Sequence, residues 1–256
     1  MQKIFAANWK MHKTRAEAGQ CSASLANALG AGTTASGALV LVFAPFTCID
    51  VVAGAFAEVP FLACGGQDCY PAAEGAFTGE ISPTMLADVG ATWVLTGHSE
   101  RRHVLGEDDA LVARKTTFAL EQGLNVMLCI GETLEERENG QLCDVLERQL
   151  TSVFDAMPDI LRGNALAGRF AVAYEPVWAI GTGKVAGQAE VLDAHATVRT
   201  LLQKLVGATA VDLPILYGGS VKPTNAAGLM SLDNVDGLLV GGASLDAQSF
   251  LQIIGA

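Results

Sequence analysis

Eight short, mostly apolar runs punctuate this chain, each followed by a stretch with helical character, and that alternation limits the folds open to it. The runs are KIFAAN from Lys3, ALVLVFA from Ala38, PFLACGG from Pro60 and TWVLTGH from Thr92. NVMLCIG from Asn125, RFAVAYE from Arg169, PILYGG from Pro214 and DGLLVGG from Asp236 complete the set. Most are apolar on both faces, whereas a strand with one wet side alternates apolar and polar residues. They predict doubly covered parallel strands joined by helical crossovers. Eight βα units close most simply into a (β/α)8 barrel; an open doubly wound sheet is the runner-up. No linker, low-complexity stretch or charge run divides the sequence. Residues 1–256 therefore read as one α/β domain, at a length common for barrels.

Helix punctuation agrees with the alternation. Ser82-Pro83 predicts an N-cap followed by Pro in the first turn. Thr133 and Glu136 predict a capping box that opens a long polar helix through Leu150. Gly30, Gly90, Gly123 and Gly207 mark expected helix ends.

Half of the residues are hydrophobic and 17% are charged, enough apolar surface for a large core. A formal charge of −11 disfavours nucleic acid and anionic membranes as partners, but leaves room for a locally positive site. The six cysteines form no CxxC pair, and several sit in apolar runs, so buried reduced thiols are expected. The start, MQKIFAANWK, lacks an apolar segment followed by a cleavage site. The longest strongly apolar run, Ala38 to Pro45, is far short of a membrane span. A cytoplasmic protein is expected.

Polar residues collect at the carboxyl ends of the apolar runs, where parallel α/β folds bind ligands. The first run leads into Asn8 and Lys10, the fourth into His98, Ser99 and Glu100, and the sixth into Glu175. The seventh ends at Gly218, Gly219 and Ser220, the eighth at Gly241 and Gly242. Taken singly, each has a plainer reading: a capping glutamate, a histidine beside a helix start, a solvated lysine, ordinary turns. In a closed barrel these ends form one ring, so a base, an imidazole, a cation and Gly-rich turns suited to phosphate would converge.

Two loose motifs fall away. GTGKVA from Gly181 resembles G-x-G-x-x-A, but PVWAI separates it from the strand, and Trp178 stands where a P-loop needs its first glycine. The histidines His12, His98, His103 and His195 show no metal-ligand spacing, so no metal is expected. PVWAIGTGK, spanning Pro176, Val177, Trp178, Ala179, Ile180, Gly181, Thr182, Gly183 and Lys184, is unusually apolar for a loop. Beside a candidate base it predicts a lid that excludes water.

NWK at Asn8, TGHSERR at Thr96, CIGE at Cys129, YEPVWAIGTGK at Tyr174, YGGSV at Tyr217 and LLVGGASL at Leu238 resemble the triosephosphate isomerase family, in the family's order. The resemblance runs from about Lys3 to Ile253. It implies isomerisation of triose phosphates in glycolysis and gluconeogenesis, without a cofactor, by a glutamate base and a neutral histidine, the scheme long described for these enzymes. Glu175 then corresponds to the base, His98 to the electrophile, and Lys10 to the cation aided by Asn8, with Glu100 as its neighbour. Gly181, Ser220, Gly241 and Gly242 would hold the phosphate, while Ile180 and Leu239 would clamp apolar surface over the base. GAFTGE, Gly75 to Glu80, resembles the family's intersubunit loop and implies a homodimer.

Three positions depart from the pattern. Met11-His12 stands where the family commonly has Met-Asn, and Gln67-Asp68 where it has Gln-Asn; both fall near the expected dimer contact. Lys184-Val-Ala-Gly-Gln lacks the usual Thr-Pro helix start, which leaves the following helix without an evident stabiliser. Two other functions fit the same broad pattern. A Schiff-base aldolase would need a buried lysine at a strand end, for which Lys10 is the candidate. A barrel that had lost catalysis would not need Asn8, Lys10, His98 and Glu175 together.

Overall fold

The computed structural model describes residues 2–31, 37–180 and 186–255. Its eight strands are β1 (Ile4–Asn8), β2 (Leu39–Ala44), β3 (Leu62–Gly66), β4 (Trp93–Thr96), β5 (Asn125–Ile130), β6 (Phe170–Tyr174), β7 (Ile215–Tyr217) and β8 (Gly237–Val240). All neighbours are parallel, and β1 pairs with β8, which closes the barrel rather than leaving an open sheet. The α-helices between and after the strands are α1 (Arg15–Gly30), α2 (Ile49–Phe56), α3 (Pro83–Asp88), α4 (Ser99–His103) and α5 (Asp109–Glu121). The second half carries α6 (Leu134–Glu138), α7 (Leu142–Ala156), α8 (Gln188–Val206), α9 (Pro223–Met230) and α10 (Ala247–Ile254).

Side chains alternate across a strand, and closure turns that period of two into two cores. Ile4, Ala6, Leu41, Phe43, Trp93, Leu95, Met127, Cys129, Ala171, Ala173, Leu216 and Leu239 fill the barrel. Phe5, Ala7, Val40, Val42, Val94, Val126, Leu128, Val172 and Leu238 face outward and pack with the helices in the larger cluster. This double coverage is why the runs lack a polar face. No helix among the described residues is long and apolar enough to cross a membrane.

Ser82 caps α3 by accepting from the Met85 N–H, with Pro83 in the first turn. Gly90, Gly123 and Gly207 follow helices in left-handed conformations, at φ 90°, 90° and 60°. The Thr133–Glu136 capping box is present, but it opens α6, which is five residues long. The expected continuous helix is broken at Asn139-Gly140: Asn139 closes the helix with its N–H on the Glu135 and Arg137 carbonyls, and Gly140 turns the chain at φ 71°. Helix α7 restarts at Leu142 and buries a coherent apolar face. The missing Thr-Pro start before α8 is compensated, because the Glu190 carboxylate reaches back to accept the Gly187 N–H. That helix runs 19 residues. All six cysteines are free thiols; Cys143 is exposed and the other five are buried.

Candidate active site

The same inward register that builds the barrel core builds the site. Continuing by two residues past Ala6 on β1 places Asn8 at the mouth, and past Ala173 on β6 places Glu175 there. The step from Leu216 reaches Gly218, and that from Leu239 reaches Gly241. Asn8, Lys10, Glu175, Ser220, Gly241 and Gly242 all line one cavity of about 350 Å³, together with Ile180 and Leu239.

Glu175 is 2% exposed, and its carboxylate meets His98 directly, Nε2 to Oε1 at 3.0 Å. Its other oxygen accepts the Ser99 N–H at 2.9 Å. His98 is therefore brought to Glu175, which itself lines the cavity. The Glu100 backbone N–H donates to His98 Nδ1 at 3.3 Å, which leaves the Nε2 proton facing Glu175. Burial pulls the His98 proton affinity down, yet the Glu175 charge and hydrogen bond outweigh it and hold it above the ordinary value. For Glu175, burial pushes upward, and the His98 charge and hydrogen bonds from His98 and Ser99 pull it below the usual carboxylate range. Each partner shifts the other toward its charged form, while the N–H on Nδ1 keeps the ring donating from Nε2.

Lys10 adopts a left-handed backbone at φ 51°, strained for a residue with a side chain. Three contacts hold it: its N–H donates to Asn8 Oδ1 at 2.9 Å, Gln67 Nε2 donates to its carbonyl at 2.9 Å, and its Nζ meets Glu100 Oε1 at 2.6 Å. A Schiff-base lysine needs a free amine aimed at its carbonyl, whereas the Lys10 Nζ is engaged by Glu100.

Within the apolar loop, Val177–Ala179 forms a 3-10 turn and Ala179 is buried. Gly181, Thr182, Gly183 and Lys184 lie outside the described residues. Two neighbours in CIGE gain roles that sequence reasoning did not give them. Glu132, fully buried, accepts from Tyr174 Oη at 3.0 Å and Trp178 Nε1 at 2.9 Å, tying the loop's start to the barrel. Gly131 lets the chain bearing Glu175 approach: a Cβ there would stand 1.8 Å from the Glu175 carbonyl oxygen. The signal was the pairing of a small residue and a carboxylate at a strand end.

Asp68 is a buried carboxylate, 4% exposed, bound to Lys115 Nζ at 2.7 and 2.9 Å and to Arg101 at 2.9 Å. Glu107 joins from the other side, accepting from Lys115 at 2.5 Å and Arg101 at 2.6 Å. Lys115, which the sequence did not single out, is 2% exposed and does not line the cavity.

A closed parallel barrel with a carboxylate, an imidazole and a lysine converging on one cavity defines an α/β-barrel enzyme of acid–base type. The triosephosphate isomerase family profile matches residues 3–256. The triosephosphate isomerase of Nitratidesulfovibrio vulgaris strain Miyazaki F is 58% identical over 254 residues, covering 99% of each chain. That of Lawsonia intracellularis is 47% identical over all of this chain and 98% of its own. The crystal structure of the Bartonella henselae triosephosphate isomerase superposes with a TM-score of 0.85 at 38% identity, covering 99% of this chain and 98% of that one. The chain belongs to the triosephosphate isomerase family, and is an aldose–ketose isomerase.

Proposed function

We propose that the barrel, acting as one catalytic domain, interconverts dihydroxyacetone phosphate and D-glyceraldehyde 3-phosphate through an enediolate, in glycolysis and gluconeogenesis. Glu175 removes a proton from the carbon beside the carbonyl and returns it to the neighbouring carbon. His98 donates from Nε2 to the developing oxyanion, and Lys10, steadied by Asn8 and Glu100, offsets charge. Ser220, Gly241 and Gly242 hold the phosphate with backbone N–H groups; Gly181 is assigned the same role from the family resemblance. The Pro176–Lys184 loop acts as the lid, with Ile180 and Leu239 closing over the base.

The observation that carries this reading is the direct His98–Glu175 contact at 3.0 Å beside the cavity. Substrate must separate the two. Once Glu175 turns to a carbon acid, His98 loses the carboxylate that raises its proton affinity. Burial and the N–H on Nδ1 then favour the neutral ring, which can still donate from Nε2. Glu175 loses the His98 hydrogen bond in turn, and burial raises its basicity. A placed base contributes about 10²–10⁴ in rate, and each oxyanion donor about 3–4 kcal/mol.

The homodimer reading is supported by the exposed Gly75–Glu80 loop and by Met11, 95% exposed, with Phe46, Phe77 and Met85 also exposed. Large apolar side chains in water point to a covering partner. Sedimentation at micromolar concentration should give twice the chain mass; a monomer there would end that reading. A cytoplasmic location fits the free cysteines. The function is tested by a coupled assay of glyceraldehyde 3-phosphate conversion to dihydroxyacetone phosphate without added metal or cofactor. Turnover is expected, and its absence in a folded protein would refute the assignment.

A further inference from the structure

We propose that Lys222 is an electrostatic capture residue, drawing the anionic substrate into the cavity without taking part in proton transfer. The inference rests on the phosphate-binding reading above. Lys222 lines the same cavity as Ser220, Gly241 and Gly242. Among the described residues, Lys10 is the other lysine on that wall and is bound to Glu100, and the wall's carboxylate, Glu175, is bound to His98. Lys222 has no acidic side chain within 4.0 Å among the described residues, so its charge is left to the approaching ligand. The chain carries −11 overall, which repels a dianion at long range. An uncompensated cation at the mouth reverses that field locally.

The backbone there suits a capture role. Pro223 follows, and Lys222 is extended at φ −138° and ψ 160°, as a residue before proline prefers. Its N–H is held by Asn225 Oδ1 at 2.8 Å, while Asn225 Nδ2 donates to the Ser220 carbonyl at 3.0 Å. Asn225 thus fixes the turn that carries Ser220, independently of the lysine side chain. The charge can be changed without disturbing the turn. An exposed lysine also stays hydrated, so it attracts at a distance and lets the backbone N–H groups take over the bound phosphate.

The test compares the wild type with Lys222→Met, Lys222→Glu and Lys222→Arg at pH 8, where an ordinary imidazole is neutral. For a dianion about 10 Å from a unit charge in water, Coulomb's law gives about a three- to five-fold effect. At about 0.02 M salt, Lys222→Met should lose about three- to five-fold in kcat/KM, and Lys222→Glu about ten-fold or more. The loss should shrink below about two-fold at 0.5 M salt, where the Debye length is only a few ångströms. Turnover number should stay within about two-fold, and Lys222→Arg should match the wild type. Equal salt slopes for wild type and Lys222→Met, or a salt-independent loss of kcat, would overturn the proposal. Calorimetric titration with inorganic phosphate separates this from failure of the isomerase reading. A wild type without turnover that still binds phosphate several-fold more tightly than Lys222→Met at low salt sinks the isomerase and keeps the capture role. Equal phosphate affinities at low salt would count against capture.

Discussion

Helix α4 separates two sets of buried ionisable groups that obey the same electrostatics in different surroundings. At its start, His98 and Glu175 form one ion pair against the cavity. One turn later, Arg101 enters a four-member cluster with Asp68, Glu107 and Lys115, away from the cavity wall. Both sets are desolvated and hydrogen-bonded, so burial and perturbed proton affinity do not by themselves mark the reactive one. Access does. Glu175 lines the cavity, whereas Asp68 and Glu107 share Lys115 and the part-exposed Arg101 away from its wall. The comparison therefore predicts a division: damage to the pair should appear in turnover, and damage to the cluster in stability.

The largest effect is expected at the pair. Glu175→Gln keeps the shape but removes the proposed base, and should lower kcat by about 10²–10⁴-fold. Inhibition by inorganic phosphate should stay within a few-fold, since the Ser220 and Gly241 turns are untouched. Near-normal turnover would place the base elsewhere and dissolve the contrast. Next comes Lys115→Met, which leaves two carboxylates sharing Arg101. Breaking a buried ionic set by removing one member costs about 3–5 kcal/mol, readable by chemical denaturation. The folded variant should retain kcat within several-fold. A folded Lys115→Met protein of unchanged stability but lost turnover would assign the cluster to catalysis.

The pair was legible in the sequence and the cluster was not, for physical reasons. Strand ends of a closed barrel must meet, so a period of two carries Asn8 and Glu175 to the same rim. What the motif withheld was side-chain conformation: that Glu175 would rest against His98 and the Ser99 N–H depends on rotamers. The cluster joins residues up to 47 positions apart through side chains alone, with no periodicity to announce it. Asp68 therefore read only as a departure from the family pattern near the expected dimer contact. The α6–α7 break failed differently. Asn139 and Gly140 gave a local stop signal, and the continuous helical spacing around them was allowed to override it.

The smallest expected effect, and the sharpest use of Asp68, is a pH dependence. Burial pushes the Asp68 carboxyl up from 3.8 to about 6, with Glu107 adding to the rise while Lys115 and Arg101 oppose it. A folded-state value above the unfolded one means that the native protein binds the proton more tightly. Stability from this group is then fully present below about pH 4 and is lost as pH rises through 6. Each tenfold difference in proton affinity is about 1.4 kcal/mol, so the ceiling is about 3 kcal/mol and a change of about 2 kcal/mol is reasonable. Asp68→Asn cannot titrate. The unfolding free energy of the wild type minus that of the variant should fall by about 2 kcal/mol between pH 4 and pH 7. Other carboxylates titrate in both proteins and cancel in that difference, provided Glu107 behaves alike in each. The opposite slope would mean that Lys115 and Arg101 outweigh desolvation at Asp68. The cluster would then resemble the His98–Glu175 pair, whose hydrogen bonds and charge prevail over burial at Glu175.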